Sequence, residues 1–107
     1  MTEGFEYFKN GVGGHLCKDH LNINLDAIDS WDKLMDYVID SSDETLPKME
    51  YAHRVVSSGE RPIIEAILWV CDYSSIADKL SNNNTYSSIL AMSGEHKKTY
   101  LTILARQ

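Results

Sequence analysis

A small, mainly helical single domain is what this sequence predicts, and three observations predict it. Apolar residues recur at i, i+3, i+4 and i+7 over residues 31–39, 49–56 and 63–71. Prolines and glycines fall where helices start and stop. The 107 residues suffice for one modest core, and 43% apolar and 24% charged residues are ordinary for a globular chain. An α+β fold, with a short strand near residues 21–25 and a hairpin in the C-terminal tail, is the alternative.

The first 25 residues are the least regular. "FEYF" leads into the glycine-rich "NGVGG", which reads as a loop, and Leu21, Ile23 and Leu25 then alternate as in an edge strand or extended arm. Ser30 or Asp29 can cap the next helix, whose inner face is Trp31, Leu34, Met35, Val38 and Ile39. A break precedes Pro47, which opens a second helix ending before Gly59, with Met49, Ala52, Val55 and Val56 inward. Pro62 opens a third. There Ile63, Ile64, Ile67, Leu68, Val70 and Cys71 surround the axis, as in a central helix, although a buried strand through "AILWVC" is the rival. Ile76, Ala77 and Leu80 carry the helical pattern to "SNNN", and both tryptophans, Trp31 and Trp69, belong to the expected core. Over residues 85–107 the pattern fits two short helices around Ser93–Gly94, with Tyr100, Leu101 and Leu104 on one face, or a hairpin through residues 93–97.

The net charge of −6 is local. Residues 26–50 hold eight acids against Lys33 and Lys48, whereas the other residues hold eight acids and eight bases. No basic patch with interleaved aromatics is present, so direct nucleic-acid binding is not expected. The N-terminus lacks the basic and apolar regions of a signal peptide, and "AILWVC" is too short to span a bilayer. Cys17 and Cys71 are therefore expected as free thiols in a reducing cytoplasm.

Chemistry-bearing groups cluster in "GVGGHLCKDH", where His15, Cys17 and His20 offer three zinc-type ligands but no second ligand pair completes a site. Cys17 and His20 as nucleophile and base have no geometric support, and Leu16 stands where a GxGxxG phosphate loop needs its last glycine. His53, beside Arg54, reads as a polar surface residue, and "NNT" at 83–85 as a glycosylation acceptor without export. The expectation is a non-enzyme with neither metal nor cofactor.

What stands out is a carboxylate row. Asp29, Asp32, Asp36, Asp40 and Asp43 project within about 80° of one another on a helix, with Glu44 following. Charge runs are usually solvated helix faces. Here local energetics oppose the row, since aspartate is a poor helix former and each i,i+4 pair costs about 0.7 kcal/mol in water before screening. Fixed acids every turn, about 5 Å apart, approximate the phosphates of a duplex strand, spaced roughly 3.4 Å. A basic nucleic-acid groove would accept such a face.

The stretch 32–58 carries Leu34, Asp36 and Val38 or Ile39, then Asp43, Leu46 and Pro47, then Tyr51, Arg54 and Val56. This pattern resembles the central part of the Ocr-like phage anti-restriction DNA mimics and covers about a quarter of the chain. The resemblance implies a helical fold, a homodimer, and a phage protein acting in the host cytoplasm. Its partner would be the basic groove of a nucleic-acid-binding host defence protein of restriction type, with a CRISPR-type complex as the alternative that the chain's departures from the mimics leave. The mimics carry far more acid, notably in an acidic C-terminal helix, where this chain ends basic. The expected partner-binding residues are Asp29, Asp32, Asp36, Asp40, Asp43 and Glu44.

Overall fold

The structure, a computed structural model, describes residues 2–81 and 94–106. Among these residues there are seven α-helices, one 3-10 turn and no strand, so the mainly α fold is shown and the α+β alternative is not needed. The helices are α1 (Glu3–Asn10), α2 (Val12–Asp19), α3 (Trp31–Asp40), α4 (Ser42–Val55), α5 (Arg61–Val70), α6 (Ser74–Ser81) and α7 (Gly94–Ala105).

The N-terminal region departs most from the sequence reading. Thr2 caps α1, its hydroxyl accepting from the Phe5 amide at 3.2 Å, and Glu3 and Glu6 favour the positive end of the helix. The supposed glycine loop is α2. Its glycines serve close packing: a Cβ on Gly14 would lie 1.8 Å from the Lys9 carbonyl oxygen, and one on Gly13 would lie 2.2 Å from the Phe8 ring. Neither has a positive φ. Gly14→Ala should therefore force α1 and α2 apart and destabilise by about 1–3 kcal/mol, the usual cost of overpacking, measurable as a lowered urea midpoint.

Leu21, Ile23 and Leu25 are buried while Asn22 and Asn24 are exposed, so the alternation is real. It belongs to an extended connection that ends in the 3-10 turn Leu25–Ala27, not to a strand. The Ile23 amide donates to the Cys17 carbonyl at 2.9 Å, and Asn22 turns the chain at φ 55°.

Ser30 caps α3 by accepting from the Lys33 amide, and Trp31, Leu34 and Val38 are buried. Met35 is half-buried, and Ile39 is exposed. Trp31 packs edge-on against Phe5 with centroids 4.9 Å apart and tilted against Phe8 at 5.1 Å, which fixes α3 on α1.

Pro47 does not open a helix. The break is Ser41 alone, and α4 runs through Pro47, giving up one backbone hydrogen bond to the Asp43 carbonyl. Val56 is buried at the end of α4, but Val55 is exposed.

Around α5 every residue from Pro62 to Leu68 is buried, because α4, α6 and α7 pack against it. "AILWVC" is thus helical, as the central-helix reading expects, but Trp69 faces outward at 41% exposure. The helical pattern does not run unbroken to "SNNN": Asp72, at φ 70°, separates α5 from α6. In the tail, α7 excludes a hairpin through residues 93–97. Its buried residues are Thr99, Tyr100, Thr102 and Ile103, whereas Leu101 and Leu104 are exposed. The other half of the tail and the "NNT" acceptor lie outside the described residues. No helix among the described residues is long and apolar enough to cross a membrane.

Candidate functional site

The carboxylate row is divided between two helices. Asp32, Asp36 and Asp40 are exposed on α3, opposite the buried Trp31, Leu34 and Val38. Asp29 precedes the cap, and Asp43 and Glu44 open α4 beyond Ser41. A single helical projection therefore holds for three carboxylates, not five.

This division changes the electrostatics. Asp43 and Glu44 lie in the first turn of α4, where the helix dipole stabilises them instead of opposing them. Asp29 is held by Lys33, whose ammonium lies 2.9 Å from its Oδ1. That hydrogen bond and charge lower the Asp29 pKa below the ordinary carboxylate value. Asp32, Asp36 and Asp40 have no ion-pair partner among the described residues. The unneutralised core of the face is thus Asp32, Asp36 and Asp40. By helical phase, Lys33 and then Tyr37 flank this strip on one side and Ile39 on the other, with Tyr37 40% and Ile39 45% exposed. Of these neighbours Tyr37 is of a type enriched in protein interfaces.

The His15, Cys17 and His20 cluster is dispersed by α2. His15 and His20 are exposed, while Cys17 points into the core, where burial pushes its thiol up to about 12. Such a thiol is no nucleophile at neutral pH. Burial raises Cys71 likewise to about 12, and both cysteines are free. Among the described residues no three His, Cys, Asp or Glu side chains gather as a metal-binding group.

No family model matches the chain, and no curated protein or solved structure does either.

The sequence reading missed one polar site. His53 is buried, with Nε2 2.7 Å from Oε2 of Glu65, itself 2% exposed on α5. Glu65 Oε1 and Thr99 Oγ1 are buried without a hydrogen-bond partner among the described residues. Burial raises the Tyr100 pKa, and the negative charge of Glu65 raises it further. The pair joins α4 to α5 within the core. Its signal was present in the sequence. His53 follows Met49 by four residues and precedes Val56 by three, on the inward stripe, and Glu65 interrupts an otherwise apolar run.

Proposed function

We propose that this chain is a non-catalytic, phage-encoded inhibitor that binds a nucleic-acid-binding host defence complex through the acidic face of α3. The observation that carries the reading is the exposed, unpaired set Asp32, Asp36 and Asp40 on one helix. Burial of Trp31, Leu34 and Val38 fixes the phase of that helix, so the three charges are presented without further ordering of the backbone. A groove lined with Lys and Arg gains from fixed, complementary charge. Tyr37 and Ile39 add apolar contact at its margins. The resemblance of residues 32–58 to the Ocr-like mimics points the same way, toward a restriction or CRISPR-type target.

A second reading is a protein-interaction or accessory module with an ordinary solvated acidic helix. The Asp29–Lys33 pair and the N-terminal placement of Asp43 and Glu44 favour it, since those acids stabilise their own helices without a partner. Capture from bacterial lysate with the tagged chain distinguishes the two. The inhibitor reading expects a nucleic-acid-binding protein that added duplex displaces. The module reading expects a partner indifferent to nucleic acid.

A further inference from the structure

Away from α3, the end of α1, the outer face of α2 and the connection that follows it enclose a half-open cleft of about 410 Å³. Its volume lies within the usual range for small-molecule sites, about 300–1,000 Å³. Three of its side chains, Lys9, His15 and Lys18, are basic, and Asp26 is its one carboxylate. In a chain of net charge −6 this is a local reversal of sign.

The reversal is built into the fold. Lys9 donates to the Ile28 carbonyl at 3.2 Å, which holds its ammonium at the wall with protons left to donate. His15 and Lys18 are three residues apart on α2 and so share a face, opposite the buried Leu16 and Cys17. Neither has an ion-pair partner among the described residues. Asn22 and Asn24 are exposed by the same alternation that buries Leu21, Ile23 and Leu25. The Asn24 side-chain oxygen is committed to the Asp26 amide at 3.0 Å, which leaves its NH₂ as a donor.

From this arrangement we infer that the cleft binds a small phosphate monoester carrying hydroxyl groups. A phosphate monoester is close to a dianion at neutral pH, which the two ammonium groups can neutralise while the His15 ring adds a hydrogen bond. The Asp26 carboxylate can only accept hydrogen bonds when ionised, so it suits a ligand hydroxyl and repels further phosphates. A polyanion such as duplex DNA is disfavoured for the same reason. The site is independent of the acidic face of α3 and stands whether or not that face binds a partner.

The test is calorimetric titration of the intact chain with inorganic phosphate, adenosine monophosphate and adenosine, in chloride buffer. Saturable binding of the monophosphate, at least about tenfold tighter than phosphate or adenosine, is expected; that is about 1.4 kcal/mol. Lys18→Ala and His15→Ala, both at exposed positions, should each weaken it about fivefold, the scale of one exposed charge contact. Asp26→Asn should tighten inorganic phosphate and narrow the preference for the hydroxylated ester. Asp32→Asn should change nothing. Absence of saturation up to about 10 mM, where a contact worth about 3 kcal/mol would show, overturns the proposal, as does equal binding by Lys18→Ala. Binding of phosphate and monophosphate alike, unmoved by Asp26→Asn, overturns the hydroxylated-ester assignment.

Discussion

Glu65→Ala should destabilise the protein by about 3–5 kcal/mol, the usual consequence of breaking a buried pair by removing one partner. Glu65 is 2% exposed, and its Oε2 shares a 2.7 Å hydrogen bond with His53, so truncation removes the partner of the imidazole Nε2 inside the core. The pair itself is a weak source of stability. Both groups lose hydration on burial, and one carboxylate oxygen is without a partner among the described residues. The double variant His53→Leu/Glu65→Met should therefore recover most of the loss and can exceed the natural protein, since apolar replacements of similar volume are often neutral or stabilising. Urea unfolding of the single and double variants measures both effects. A cost below about 1 kcal/mol for Glu65→Ala, typical of a surface change, would mean that α4 and α5 do not pack through this pair.

Trp31→Ala is the second large effect, about 3–5 kcal/mol as for other aromatic-to-alanine changes in cores. Trp31 is 5% exposed and touches both Phe5 and Phe8, so the truncation removes two aromatic contacts and opens a cavity between α1 and α3. Trp69→Ala, at 41% exposure, should cost markedly less. Equal losses at the two tryptophans would contradict the placement of Trp31 inside and Trp69 outside, and with it the outward phase of Asp32, Asp36 and Asp40. Chemical denaturation of the two variants decides this.

The legible parts of the fold were those governed by hydrophobic period. The α3 stripe of Trp31, Leu34 and Val38 and the encircled α5 follow from spacing alone. The glycines before His15 misled, because glycine signals either backbone freedom or absence of bulk, and only the packed neighbours Phe8 and Lys9 show which. Pro47 misled in a similar way. Proline marks a helix start by preference, yet a helix can lose one hydrogen bond when its flanks, here Thr45 and Met49, are buried. Ile39, Val55 and Trp69, expected in the core, are exposed because period fixes a stripe only to within a residue. Of the candidate site, Asp32, Asp36 and Asp40 were legible as a set, whereas Asp43 and Glu44 required knowing that Ser41 divides two helices. His53 and Glu65 lie 12 residues apart in sequence, and their pairing depends on how α4 packs against α5.

On the proposed function, Asp32, Asp36 and Asp40 take the place of phosphates in a basic groove. The direct measurement compares the tagged natural chain with Asp32→Asn/Asp36→Asn/Asp40→Asn in capture from bacterial lysate, at about 50 and 200 mM salt, with and without added duplex. The substitutions remove charge with little change of shape, and relief of i,i+4 repulsion should leave the melting temperature equal or slightly higher. The natural chain should retain a nucleic-acid-binding partner at low salt, lose most of it at high salt, and release it to duplex. The triple variant should retain little at either. Equal retention by both chains, or a complex holding the chain and duplex together, would contradict the claim and leave the face of α3 an ordinary solvated surface.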